Sequence, residues 1–188
     1  MAEQFSEISG ELAQWISEQK IFFTATAAPN SRVNLSPREG SALRVLDPNS
    51  VVYLDKTGSG NETAAHLKAD GRMTIMLCSV EGPPRILRLF GKGRVIHRDS
   101  NEFDRILQTQ YKGTAPPGAR QIIHLRLDLV QTSCGFGVPL FSFERERDVL
   151  VRWAAGKGEA GISAYWAEKN QTSIDGLPTG IFDPPFDQ

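Results

Sequence analysis

Short segments rich in β-forming residues follow one another through most of the chain, and this pattern restricts the possible folds more than any other feature. Examples are "KIFFTATAA", "RVNLS", "VVYLD", "RMTIMLCS" and "IIHLRLDLVQT", with Pro, Gly, Asp or Asn in the stretches between them. Only two helical patterns, "NETAAHLKAD" and "SNEFDRILQTQY", interrupt these segments. A parallel α/β sheet needs a helix after nearly every strand. We therefore predict an α+β protein, mainly β, in which roughly six or seven antiparallel strands form a barrel with short flanking helices.

Helices are also predicted at both ends of the chain. A helix over residues 6–19 is indicated by apolar residues that recur at steps of three and four, namely Phe5, Ile8, Leu12 and Ile16. Residues 143–155 and 158–169 have helical patterns as well. Between these ends, "IIHLRLDLVQT" alternates strictly, which predicts a strand with four apolar side chains on one face, Ile123, Leu125, Leu127 and Leu129.

The tail "NQTSIDGLPTGIFDPPFDQ" is predicted to be an arm that packs on the protein. Its prolines prevent a regular helix, and its apolar content is too high for simple disorder. Ile174, Leu177 and Phe182 are the expected anchors, and we expect Tyr165 and Trp166 to hold the arm in place from the preceding helix.

Charge and cysteine content exclude several classes of function. The chain has 21 basic and 22 acidic residues, whereas a sequence-independent nucleic-acid binder normally has a basic excess. The apolar runs are too short to cross a bilayer, and the N-terminus lacks the pattern of a secretory signal, so we expect a cytoplasmic protein. Two cysteines and three histidines without metal-site spacing predict no disulfide framework and no metal.

The stretch "DKTGSGNETAAHL", residues 55–67, has the features of an anion-binding loop. Gly58 and Gly60 permit close backbone approach, and the following helix would direct its free N–H groups into the loop, with Asn61 as the expected N-cap. Side-chain donors and one full positive charge are supplied by Ser59, Asn61, Thr63 and Lys56. The alternative is an ordinary glycine turn, since neither the Walker nor the Rossmann spacing is present. His66 either reaches the anion or is a surface histidine of the helix.

Two further stretches carry candidate binding residues. In "NLSPREG", Ser36, Pro37 and Arg38 stand where a strand ends, Pro37 removes a backbone donor, and the Arg38 guanidinium suits a phosphate or an acidic ring edge. A β-turn with a solvated arginine is an equal alternative. In "PPRILRLFGKGRV", Arg88 alternates with apolar residues and either binds a ligand or faces solvent.

The order and spacing of these three stretches resemble the FMN-binding split barrel of the pyridoxamine 5'-phosphate oxidase-like family, over roughly residues 15–133. "QTSCGFGVP" and "KNQTSIDGLP" resemble a branch of that family with a C-terminal extension. The resemblance implies a split-barrel domain over residues 1–135, with residues 136–188 packing on the barrel or on the partner of a homodimer. It implies FMN in a groove between the two barrels. We expect Cys134 to be a small residue packed near a turn, which could line the pocket without reacting if the barrel closes over FMN.

The same resemblance implies a role for each candidate residue. Ser36, Pro37 and Arg38 would line the flavin ring, and Arg88 would approach the ring or the ribityl-phosphate. The phosphate would be held by Lys56, with Asp55 beside it, and by Ser59, Asn61 and Thr63. Family oxidases have an adjacent Arg-Lys pair where this chain reads Asn61-Glu62, so Glu62 must turn away. Their substrate-contacting closing segment has no counterpart here, which argues against vitamin B6 oxidation.

The function implied is an FMN-dependent oxidoreductase that acts on a small molecule, with a reduced nicotinamide cofactor as a candidate electron donor. One alternative is a flavin-binding module that acts as a sensor or store without turnover. Another is a barrel that binds haem or an apolar ligand. On the first hypothesis, Lys56→Ala is predicted to weaken FMN binding by roughly one to two decades.

Overall fold

One curled antiparallel sheet forms the centre of the protein, as seen in a computed structural model that describes residues 2–184. The strands are β1 Glu3–Phe5, β2 Ile21–Thr26, β3 Asn34–Glu39, β4 Leu43–Asp47, β5 Ser50–Lys56, β6 Arg72–Cys78, β7 Ile86–His97 and β8 Ala119–Ser133. Their order in the sheet is β3-β2-β6-β7-β8-β5-β4, with β1 added on β8. All the pairings are antiparallel, which confirms the predicted split-barrel class.

Four α-helices flank the sheet in the described part of the chain: α1 Gly10–Glu18, α2 Glu62–Ala69, α3 Asn101–Gln110 and α4 Val149–Lys169. The helix predicted over residues 6–19 begins four residues late, because the Ser9 side chain caps it and Phe5 belongs to β1. The helix predicted from residue 143 begins only at Val149. None of the helices in residues 2–184 is long and apolar enough to span a bilayer.

Two apolar cores lie on opposite sides of the strands. The larger fills the inside of the curl, where α1 closes it with Leu12 and Ile16, and it contains residues such as Phe22, Tyr53, Ile75, Leu89 and Leu125. The smaller lies between α3 and the strands, and it contains Val52, Leu54, Ile96, Phe103, Ile106 and Ile122. Burial of apolar side chains stabilises the strands. β5 is buried on both faces, because Tyr53 belongs to the larger core and Val52 and Leu54 belong to the smaller one.

A β-bulge at Asp128 changes the predicted alternation of β8. Phe90 of β7 pairs with Leu129, whereas the next residue, Gly91, pairs with Leu127, so Asp128 is an extra residue. After the bulge, Val130 is fully buried and Leu129 is only half-buried on the outer face. Leu129 therefore does not share the buried face of Leu127, as strict alternation predicted.

Gly91 permits the close strand approach at this bulge, and we expect Gly91→Ala to lower the free energy of unfolding by about 2 kcal/mol. A Cβ atom at this position would lie 1.9 Å from the backbone oxygen of Arg126, so one strand must move. Urea unfolding followed by circular dichroism measures the effect. In the control Gly137→Ala, the added Cβ meets no atom within 4 Å. Equal stability of the two variants would contradict the assignment.

Candidate functional site

A polar cavity of about 350 Å³ lies where β3 meets the loop after β5 and the start of α2. It contains six of the nine predicted binding residues: Ser36, Pro37, Arg38, Ser59, Asn61 and Thr63. Asn34, Gly58, Gly60, Glu62 and Arg120 complete the lining. The fold thus brings together two stretches, "NLSPREG" and "TGSGNET", that are about twenty residues apart in the sequence. We call this space the polar cavity below.

Two buried nitrogen atoms in the wall of the polar cavity have no hydrogen-bond partner in the described protein, Asn61 Nδ2 and Arg38 Nε. Asn61 precedes α2 as predicted, but its side chain does not cap the helix. Its Oδ1 instead accepts a hydrogen bond of 2.8 Å from Gln121 Nε2. Buried donors without partners are costly unless a ligand or water satisfies them, so the wall favours an occupant that accepts hydrogen bonds.

Beneath the cavity, the Asp55 carboxylate is buried between two guanidinium groups. Arg120 Nη2 lies 2.7 Å and Arg38 Nη1 lies 2.8 Å from its oxygens, and Gln121 Nε2 donates to it at 2.9 Å. Burial alone raises the pKa of Asp55, but Arg120 and Arg38 outweigh this effect and lower the pKa below its ordinary value. Asp55 therefore holds Arg38 and Arg120 in place at the wall of the cavity, and its predicted part in cofactor binding remains a prediction.

Arg120 is a site residue that the sequence analysis missed. Besides Asp55, its Nη1 donates to the backbone oxygen of Gly60 at 3.0 Å and to Asn170 Oδ1 at 2.8 Å. The signal available in the sequence was a pair of long polar residues, Arg120 and Gln121, that directly precede the alternating part of this strand. Only the register of β5 against β8, which pairs Gln121 with Asp55, shows what they meet.

The C-terminal arm holds the same loop from the other side. Asn170 Nδ2 donates to the Gly58 oxygen at 3.2 Å, and Trp166 Nε1 donates to Thr57 Oγ1 at 2.8 Å. Asn170 and Thr179 are both buried, with a hydrogen bond between them. The predicted apolar anchors Ile174 and Phe182 are exposed instead, so the arm is attached by polar contacts. The last four residues of the predicted arm, 185–188, lie outside the described part of the chain.

The structure gives partners to two residues of α2, Glu62, which was expected to turn away from the phosphate, and His66. The Glu62 carboxylate accepts hydrogen bonds from the backbone N–H of Ile174 at 3.1 and 3.2 Å, which holds it toward the arm. His66 is fully buried rather than exposed, and its Nδ1 lies 3.1 Å from Thr26 Oγ1. His66 is not part of the lining of the polar cavity.

Lys56 and Arg88 are not brought to the polar cavity. Lys56 Nζ lies 2.5 Å from Glu39 Oε1, and this ion pair lies beside Tyr111, outside the polar cavity. Arg88 extends from the outer face of β7, where its Nη1 donates to Ser133 Oγ at 3.1 Å. The predicted roles of these two residues in ligand binding remain predictions.

A second, larger cavity of about 900 Å³ adjoins the polar cavity. Pro37 and Arg38 line both spaces. The walls of the larger cavity are mainly apolar, with β2 and β6 on one side and the chain from Val138 into α4 on the other: Ile21, Phe23, Val80, Val138, Phe141, Leu150 and Trp153. We call it the apolar cavity. Together the two spaces suit a ligand with a large apolar part and an anionic end.

The cysteines give no nucleophile to this site. Cys134 is exposed and is not among the residues that line either cavity. Cys78 does line the apolar cavity, and burial raises the pKa of its thiol, which disfavours the reactive thiolate. Within residues 2–184 no group of three His, Cys, Asp or Glu side chains could hold a metal ion.

Comparison with known proteins identifies relatives of this chain. A family model described as pyridoxamine 5'-phosphate oxidase matches residues 8–134. The pyridoxamine 5'-phosphate oxidase family protein ustO of Aspergillus flavus is 35% identical, covering 93% of this chain and 76% of its own. A crystal structure of a putative pyridoxamine 5'-phosphate oxidase from Lactobacillus delbrueckii is similar in fold, with a TM-score of 0.52 and 20% identity over 67% of this chain and 94% of its own. HutZ, a haem storage protein from Vibrio cholerae, has a TM-score of 0.50 and 15% identity over 69% and 97%.

Proposed function

The chain belongs to the pyridoxamine 5'-phosphate oxidase family, and on that premise we propose that it binds FMN and acts as a flavin-dependent oxidoreductase on a small molecule. FMN combines a planar, largely apolar ring system with a phosphate end, and the two adjoining cavities offer matching surroundings. When bound, FMN supplies the hydride or electron transfer, so the chain needs no conspicuous acid–base pair. The side chains described above bind the cofactor, orient it and exclude water.

The polar cavity suits the phosphate on three grounds. Asn61 Nδ2 and Arg38 Nε are buried donors without partners, and the guanidinium groups of Arg38 and Arg120 place two charged donor groups at the wall. The first amide that finds a backbone acceptor at the start of α2 is that of Ala65, so the preceding amides of the helix are free to donate. The buried, unpartnered Asn61 amide is the observation that carries this assignment.

Arg38 is the residue best placed to orient the ring. It lies at the junction of the two cavities, and its guanidinium is held by Asp55 at 2.8 Å and stacks 5.5 Å from the centre of the Tyr53 ring. An arginine fixed in this way can donate to an electronegative ring edge without losing much conformational entropy. Electron density on a reduced ring would also be stabilised by its charge.

The first test is the visible absorption spectrum of the purified full chain, followed by chromatography of the material that acid releases. A flavin spectrum with FMN released supports the cofactor assignment, and bleaching by a reduced nicotinamide supports turnover. A flavin that binds tightly but is not reduced by any donor would favour the sensor or storage alternative. A colourless protein that does not take up added FMN would overturn the proposal.

Haem is the second candidate ligand, because haem storage is the function given for the structurally similar HutZ. No histidine is among the residues that line the apolar cavity, and His66, on α2, is buried in a contact with Thr26. An axial ligand for haem iron is therefore not offered by a histidine of this cavity. The same absorption spectrum separates the candidates, because haem and flavin absorb visible light differently.

The variant Lys56→Ala tests whether Lys56 holds the phosphate, as the resemblance in sequence implies, or lies outside the phosphate site, as its ion pair with Glu39 indicates. Since Lys56 is paired with Glu39 outside the polar cavity, we expect FMN affinity to change by less than about twofold. A phosphate contact would require the loss of roughly one to two decades stated above. Titration of FMN fluorescence measures the affinity. A loss of tenfold or more would return Lys56 to the phosphate site.

Assembly into a homodimer is the remaining part of the proposal. The outer face of the sheet is apolar and only half-covered, with Phe23 paired to Met76 and Phe90 paired to Leu129, and Leu35 at its edge is 65% exposed. Arg88 extends from this face, so a role for it in flavin binding depends on assembly. Light scattering on the purified protein gives the mass directly; a monomer at micromolar concentration would contradict this part.

A further inference from the structure

Helix α4 is bent back on itself at Gly158, which has φ 66° and ψ 171°. This backbone conformation is essentially restricted to glycine. The bend divides α4 into two short helices and brings Trp153 of the first against Tyr165 of the second. The two rings meet edge to face, with centroids 5.1 Å apart and an interplanar angle of 80°. α4 follows the residues that the family model matches, so the family match assigns no role to this helix.

A lysine stands over both rings. Lys157 Nζ lies 5.3 Å from the centre of the Trp153 ring and 5.6 Å from that of Tyr165. In residues 2–184 no carboxylate lies within ion-pair distance of this nitrogen, and the acidic group in its surroundings, Glu168, is bound to Lys169 instead. The aromatic faces stabilise the ammonium group, and because Lys157 is exposed, its N–H groups can donate to water or to a ligand.

These side chains line a third cavity, of about 330 Å³, between α4 and the loop after β5. Gly58 and Ser59 form one wall and are shared with the polar cavity. Leu150 and Trp153 form another wall and are shared with the apolar cavity. A ligand here would therefore lie next to both parts of the proposed flavin site without occupying either.

We propose that this third cavity is a binding subsite for an aromatic anion, with the aromatic ring against Trp153 and Tyr165 and a phosphate or carboxylate group at Lys157. The indole and phenol rings provide an apolar surface, Lys157 provides the full charge, and the Ser59 hydroxyl on the opposite wall provides a further donor. The subsite would receive the molecule that exchanges electrons with the flavin, a role that rests on the proposed function, whereas binding of the anion itself does not.

Phenyl phosphate is a suitable probe, with benzoate to compare a carboxylate and phenol as the uncharged ring. The full chain is first saturated with FMN, so that the polar cavity is filled, and binding of each probe is followed by isothermal titration calorimetry. We expect the wild-type chain to bind phenyl phosphate or benzoate at least tenfold more tightly than phenol. The variant Lys157→Gln should lose this advantage of roughly tenfold, whereas its affinity for phenol should equal that of the wild type.

Four controls make the outcome decisive. Lys157→Arg should keep most of the anion affinity, whereas Lys92→Gln, which removes a lysine of β7 outside the cavity, should have no effect. The affinity for FMN should be equal in all variants. If the chain does not bind FMN, the anion titration is repeated on the flavin-free chain, where binding of the anions should still depend on Lys157. The proposal is overturned if the anions bind no better than phenol, or if Lys157→Gln binds them as the wild type does.

Discussion

Arg120→Met is expected to lower the free energy of unfolding by about 3–5 kcal/mol, the largest stability effect that we predict for one side chain. The substitution leaves the Asp55 carboxylate fully buried with one fewer positive partner. It also removes the hydrogen bonds from Arg120 to Gly60 and Asn170, which hold the loop and the arm together. Urea unfolding monitored by tryptophan fluorescence gives the difference directly.

Arg126→Met is the matched control, because Arg126 is exposed on the same strand and forms no ion pair in the described residues. Its effect should stay within about 0.5 kcal/mol. If the two variants are equally stable, the buried cluster does not contribute as described. A loss of FMN affinity in Arg120→Met at a temperature where it remains folded would further indicate that Arg120 positions the loop.

The effect of Arg120→Met should also depend on pH. The pKa of Asp55 is lowered in the folded chain, so its contribution to stability is present above the ordinary value of 3.8 and is lost as the pH falls below that value through the lowered pKa. The difference in unfolding free energy between wild type and variant should therefore be largest near neutral pH and decrease in acid. A pH-independent difference would mean that lost packing, not charge pairing, causes the effect.

Asn61→Asp is expected to weaken FMN binding by roughly 100-fold. Because it buries a second carboxylate near Asp55, it should also lower the free energy of unfolding, so the affinity is measured at a temperature where the variant remains folded. The change is nearly isosteric, and a carboxylate oxygen can keep the 2.8 Å contact with Gln121. It replaces the buried, unpartnered Nδ2 donor with a negatively charged acceptor, so the phosphate loses a hydrogen bond and meets a like charge.

Fluorescence titration with FMN measures the loss, and Asn101→Asp is the control. Asn101 is exposed at the start of α3, away from the polar cavity, so this variant adds the same charge without touching the proposed site. Affinities for FMN that agree within about twofold between the two variants would contradict the assignment of the phosphate to the polar cavity.

Much of the site could be predicted because it consists of local chain features. A glycine loop between a strand and a helix, and a proline that ends a strand, are visible as short patterns. The predicted binding residues Ser36, Arg38, Ser59 and Asn61 come from these patterns, and all four line one cavity. Their side-chain roles were harder to predict. The expected cap at Asn61 gave way to a contact with Gln121, a residue that the sequence places sixty positions away.

By itself, the sequence determined the antiparallel split barrel, its flanking helices and the two stretches that form the polar cavity, because strand periodicity and turn residues act over a few positions. Tertiary structure alone decided which charges are free and which are paired. Lys56 has a full charge next to the loop in sequence, yet strand direction places it with Glu39, while Arg120 reaches the loop from β8. Electrostatic roles depend on distances across strands, and these are set by register, by the bulge at Asp128 and by the bend at Gly158.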